Sequence, residues 1–187
     1  MNRKELKKLV TVVEQKADKP FCDVSRLLKD ATAFKSACGD LESLCKKLGG
    51  YDLILSPDGL GLVFGAAIAT THQSGFVPAL KLEALPSDEG ESGRMSFCEV
   101  RCQRDNGCVD QLWIQDGMIK PGQRIVIVDD VLASGATVLG LARAVEKMGG
   151  KVVGIVTLVE MTPRHGKQML EARNFQVRST IRIPGSF

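Results

Sequence analysis

Apolar and polar positions change period several times along the chain. Phe34, Cys38, Leu41, Leu44, Cys45 and Leu48 recur at helical spacing, and Gly49-Gly50 follows. That pattern predicts an amphipathic helix over 34–48 stopped by glycine. Residues 1–15 place Leu6, Leu9, Val10 and Val13 on one helical face, so the N-terminus also reads as a charged helix. YDLILS, residues 51–56, reads as a buried strand, and PDGLG as the turn after it. Residues 62–72 read as a helix of small and apolar residues, and VPALKL, residues 77–82, as a short strand. From 83 to 110 the pattern is lost. This stretch is polar and rich in Gly, Ser and acids, which predicts a long flexible loop with room for a hairpin. QLWIQ, residues 111–115, returns to strand character before the turn IKPGQ.

The second half is more regular. RIVIV, residues 124–128, shows no polar alternation, as expected of a strand covered on both faces. TVLGLARAVEKMGG, residues 137–150, turns Val138, Leu141, Ala142, Val145 and Met148 to one side and ends on two glycines. KVVGIVTLVEM, residues 151–161, is again a buried strand. Strand, helix and strand at this spacing make a βαβ unit. The fold class expected is α/β, a mostly parallel central sheet flanked by helices.

The chain has 187 residues, 44% hydrophobic and 25% charged, which suits a single domain over 1–187 with a core of its own. Net charge is +3 with both signs interspersed, which argues against nucleic acid as a partner. No apolar run approaches the ~18 residues of a membrane span. The charged N-terminus does not look like a signal peptide, so a cytoplasmic location is expected. Cys22, Cys38, Cys45, Cys98, Cys102 and Cys108 form no CxxC pair and no recognisable zinc spacing. Reduced thiols of a cytosolic protein are the first reading, with a metal or redox site as the second.

Chemistry concentrates where RIVIV ends. Asp129 and Asp130 stand at the carboxyl end of that strand, and ASGAT, residues 133–137, leads into the next helix. Ligands of open α/β sheets bind at that end of the strands. Small residues let backbone N–H groups converge on an anion, and the helix N-terminus adds positive potential. Two carboxylates beside such a loop can accept hydrogen bonds from vicinal hydroxyls. A sugar phosphate presents both groups at the required separation. An acid pair alone could merely end a strand, with Ser134 or Thr137 as a cap. No GK[ST] and no GxGxxG motif is present.

This segment resembles the phosphoribosyl pyrophosphate (PRPP) binding motif of type I phosphoribosyltransferases. PFCDVSRLLKDATAFKSACGDL, residues 20–41, is similar to the N-terminal base-recognition segment of adenine phosphoribosyltransferases, assigned here to 1–33. LVEMTPRHGKQML, residues 158–170, is similar to the segment after that family's last core strand. The resemblance implies purine salvage: adenine and PRPP give AMP and pyrophosphate, with Mg²⁺ carried on the pyrophosphate, in a homodimer. It implies that Asp129 and Asp130 bind the ribose hydroxyls and that Ala133, Ser134, Gly135, Ala136 and Thr137 hold the 5′-phosphate. Phe21 would stack on the base, Met161 would lie on its other side, and the backbone at Cys22 would read its edge. Asp58 and Lys81 match the pyrophosphate site, and Glu99 a catalytic acid in the flexible loop. The chain departs from the family at Leu60, Leu80 and Ala84, where basic residues are usual. Arg94, Arg101 and Arg104 offer replacement cations. Those departures also frame an alternative, a weak or inactive paralogue that binds AMP or PRPP as a sensor or partner subunit.

Overall fold

The computed structural model describes residues 1–13, 21–81, 97–103 and 109–185. Helix α1 covers only Arg3–Lys7, closed by a reciprocal cap in which Asn2 accepts from the Glu5 N–H and Glu5 accepts from the Asn2 N–H. The expected helix over 1–15 stops there, because Val10, Thr11, Val12 and Val13 are β-branched in succession. Thr11–Val13 instead forms strand β1, antiparallel to β2, Phe21–Asp23.

Helices α2, Ser25–Lys29, and α3, Ala31–Lys46, follow, the latter capped by the Asp30 carboxylate on the Ala33 N–H at 2.9 Å. Next come β3, Leu53–Pro57; α4, Leu60–His72; and β4, Gly75–Ala79. The strand expected over 77–82 is therefore shifted toward the N-terminus, and Lys81 lies just past its end. Strands β5, Phe97–Gln103, and β6, Val109–Gln115, form an antiparallel hairpin. Part of the stretch expected to be loop, 83–110, is thus strand; residues 82–96 and 104–108 lie outside the described residues. Then follow β7, Arg124–Leu132; α5, Ala136–Lys147; β8, Lys151–Met161; α6, Gly166–Glu171; and β9, Val177–Ile183.

The central sheet has the order β4-β3-β7-β8-β9, and every pairing in it is parallel. Its interior strands are apolar on both faces, so two cores form. On one face Leu41 of α3 and Phe64 and Ile68 of α4 pack with Val126, Val128, Val156 and Leu158. On the other, Val138, Leu141 and Val145 of α5 pack with Leu55, Ile125, Ile127 and Ile155. The β5–β6 hairpin adds Val100, Leu112 and Ile114 to this second core. Its backbone meets the central sheet at Leu80 and Trp113, which exchange hydrogen bonds of 2.9 and 2.7 Å. The architecture is α/β, a parallel sheet flanked by helices.

Candidate active site

The chain leaves β3 through α4 toward β4 and leaves β7 through α5 toward β8, in opposite directions along the sheet. A crevice opens at the carboxyl ends of β3 and β7, the usual ligand position in such sheets. Asp129 and Asp130 occupy its β7 side. Asp129 is 6% exposed. Its Oδ1 accepts the Asp130 backbone N–H at 2.8 Å. Burial first, and the neighbouring Asp130 charge second, push its carboxyl well above the usual carboxylate range. An acid pair held this way is poised to receive hydroxyl donors or positive charge.

After the acids the backbone turns through Ala133 and Ser134 to Gly135, whose φ of 82° is the left-handed conformation that favours glycine. Helix α5 begins immediately, and no side chain caps it. Its free N–H groups and dipole therefore face the loop. Ser134, Ala136 and Thr137 are partly exposed there.

Asp58 and Lys81, far apart in sequence, meet at the ends of the adjacent strands β3 and β4. Asp58 donates its backbone N–H to Ala79 at 2.7 Å, and its carboxylate accepts the Lys81 backbone N–H at 3.1 Å. Lys81 is exposed, and among the described residues its ammonium pairs with no acid. Leu60 opens α4, Leu80 bridges to Trp113, and Ala84 lies outside the described residues.

Strand β2 brings Phe21 and Cys22 to the other side. The charge of Asp130 reaches Cys22, whose thiol is pushed up to about 12, chiefly by burial. Cys22 and Met161 share one apolar cluster, with Val131 and Ala133 packed against it. Phe21 is 52% exposed, whereas Met161 is 1% exposed. The two residues expected to face a ring from opposite sides are thus unequal: Phe21 is open, and Met161 is sealed in the core.

Glu99 stands apart from this group. Its carboxylate accepts from Arg101 Nε at 3.1 Å and from the Gln111 side chain. These bonds, with weaker help from Lys147, hold it below its usual carboxylate range. Lys147 ends α5, while Cys102 on the same strand meets the Thr137 carbonyl at the start of α5, at 3.8 Å. The twelve residues of α5 span ~18 Å at 1.5 Å each, so Glu99 lies toward the end of α5 remote from the loop. Arg101 is occupied by this pair, and Arg94 and Arg104 lie outside the described residues.

Sequence reasoning passed over Gly61. A Cβ there would come within 2.9 Å of Asp129 Oδ1, so the first turn of α4 must stay bare for the acid to fit. The signal was a glycine in the turn PDGLG, which reads equally well as a plain turn former.

The model of the phosphoribosyl transferase domain matches residues 27–186. The chain is 38% identical over 166 residues to an adenine phosphoribosyltransferase of Caldicellulosiruptor saccharolyticus, covering 89% of this chain and 88% of that protein. The chain belongs to the adenine phosphoribosyltransferase family. A second relative of that name, from Ruminiclostridium cellulolyticum, is 34% identical over 155 residues, 82% of this chain and 85% of its own. The crystal structure of adenine phosphoribosyltransferase from Thermoanaerobacter pseudethanolicus superposes with a TM-score of 0.82 at 33% identity, covering 97% of this chain and all of that one. The phosphoribosyl transferase domain match begins only at Leu27, after β2. The match to the adenine phosphoribosyltransferase structure is wider and extends into the β1–β2 hairpin that carries Phe21 and Cys22.

Proposed function

We propose that this chain transfers the 5-phosphoribosyl group of PRPP to adenine in purine salvage, giving AMP and pyrophosphate. The observation that carries the reading is the acid pair of buried Asp129 and half-buried Asp130, set directly before an uncapped helix N-terminus in the β3–β7 crevice. A purine nitrogen forms its bond to the anomeric carbon and gives up its N–H proton to solvent. The bond from that carbon to the pyrophosphate oxygen breaks, and its electron pair leaves with the pyrophosphate.

Asp129 and Asp130 accept the ribose hydroxyls and sit close to the positive charge that develops on the sugar. Ala133 to Thr137 offer backbone N–H groups and two hydroxyls to the 5′-phosphate. Phe21 covers one face of the base, Cys22 meets its edge through the backbone, and Met161 forms the floor. Lys81, aligned by Asp58, supplies a cation toward the leaving group. Glu99, the catalytic acid that the resemblance implies, is held apart from this group by Arg101 and Gln111 and is assigned no step in this arrangement.

Among the described residues no three His, Cys, Asp or Glu side chains stand together. A Mg²⁺ ion would be carried on PRPP and would neutralise the departing pyrophosphate. A homodimer fits α4, which carries no charged residue from Leu60 to Thr71 and leaves Val63 40% exposed. Free thiols at all five described cysteines fit a cytoplasmic site of action. No described helix is long and apolar enough to cross a membrane.

The test is AMP formation from adenine, PRPP and Mg²⁺, run beside the Asp129→Asn, Asp130→Asn double variant. Turnover in the wild type that disappears in the variant supports the reading. Wild-type protein that yields no AMP overturns it.

A further inference from the structure

Behind the loop that follows the acid pair, the chain makes a second close approach. Between β8 and α6 it passes through one 3₁₀ turn, Thr162–Arg164, and reverses at His165, whose φ is 56°. A non-glycine residue in this conformation is uncommon and stays there only when its surroundings hold it. The next residue is Gly166. Its backbone N–H donates to the Ala133 carbonyl at 3.0 Å. A Cβ on Gly166 would fall 2.1 Å from that carbonyl oxygen and 2.8 Å from both the Gly135 nitrogen and the Ser134 carbonyl carbon. Those are backbone atoms, which cannot turn aside as a side-chain tip can. From the other side, a Cβ on Gly135 would meet Met169 Cε at 2.8 Å and the Gly166 carbonyl at 3.3 Å. Backbone lies against backbone here with no side chain between.

The geometry points to Gly166 as a positioning residue for the anion loop. The His165–Gly166 turn is a strut that holds Ala133, Ser134 and Gly135 in the shape that directs their N–H groups at a phosphate. Gly166 does not itself touch the ligand. The hydrogen bond to Ala133 fixes the orientation of the peptide between Ala133 and Ser134, and the missing Cβ allows that bond to be short. The strut leads into α6, which is anchored in the second core by Leu170. The loop thus takes its shape from an element that lies after β8, not from its own sequence alone. This inference rests on the phosphoribosyl-binding reading above.

The decisive comparison is Gly166→Ala against the wild type. A loop displaced by about 1 Å can cost up to ~10²-fold in a positioned reaction. The KM for PRPP and the Kd for AMP should each rise ~10-fold or more, while the KM for adenine changes less than about twofold. A general loss of packing would instead lower Tm and shift both substrates together. Because the variant could fail to fold, the wild type is also examined by amide hydrogen exchange. Saturating AMP should slow exchange in the peptide containing Gly166 as well as in the one containing Ser134 and Gly135. Equal KM shifts for the two substrates, an unchanged KM for PRPP, or loop protection without protection at Gly166 would overturn the strut while leaving the transferase intact. A wild type that binds no AMP overturns the functional reading and the strut together.

Discussion

The Oδ1 atom of Asp129 lies 2.9 Å from the point that a Cβ on Gly61 would occupy. The acid at the end of β7 therefore keeps its place because the first turn of α4 lacks a side chain. Gly61→Ala should displace the carboxylate and lower kcat/KM for PRPP ~10-fold or more, with little change in the KM for adenine. Initial rates at varied PRPP check this. An unchanged kcat/KM would show that the acid moves aside without loss.

Asp129 also sets a pH dependence. Its folded-state pKa is raised, mainly by burial. The stability tied to this group is fully present below the unfolded value of ~3.9 and is lost as pH rises through the folded value. Asp129→Asn removes that loss. The variant should melt above the wild type near pH ~7, by ~2–4 °C for each kcal/mol, and the two should converge near pH ~4. AMP formation should fall ~10²-fold in the same protein. Melting curves across this range decide the point, and a variant that melts lower at neutral pH contradicts it.

Phe21 and Met161 separate binding from stability. Phe21 is 52% exposed and Met161 1% exposed. Phe21→Ala should raise the KM for adenine severalfold and leave stability within ~0.5 kcal/mol. Met161→Ala opens a cavity in the core and should cost ~2–5 kcal/mol. Urea unfolding beside adenine titrations distinguishes the two, and equal destabilisation would refute the assignment.

Glu99 is held as a carboxylate by Arg101 and Gln111. A group kept ionised this way is a poor proton donor near neutrality. Glu99→Gln should reduce kcat by less than ~10-fold and leave its pH profile in place. A larger loss, with a displaced profile, would show that the hairpin moves and carries Glu99 into the reaction.

The parts of the site that were legible in the sequence are contiguous. RIVIVDD followed by ASGAT states its strand, acids and loop in one line, because each depends on neighbours in the chain. Asp58 and Lys81 could be named only by resemblance, since their union comes from pairing β3 with β4. Gly61 and Gly166 were not legible as site residues, because a missing side chain has meaning only once the opposing atoms are in place. Strand β5 reads in the sequence only as room for a hairpin within a loop, because Glu99, Arg101 and Gln103 break its apolar run. The alternating residues Val100 and Cys102 belong to the second core. Helical spacing at Leu6, Leu9, Val10 and Val13 suggests a longer N-terminal helix than forms, because the same residues contain a β-branched run that pairs as β1.

The position of β7 in the middle of the sheet bears on biosynthesis. It pairs with β3, made well before it, at Leu53 and Ile125, and with β8, made after it, at Asp129 and Thr157. Such long-range parallel pairing forms slowly, and domains emerge from the ribosome N-terminus first. A nascent chain that has reached Thr137 already holds both acids and the anion loop, yet β7 has no neighbour on one side. Nucleotide cannot hasten the folding of the first half, because the cleft that would bind it is completed only when β8 and the turn at Gly166 have been made.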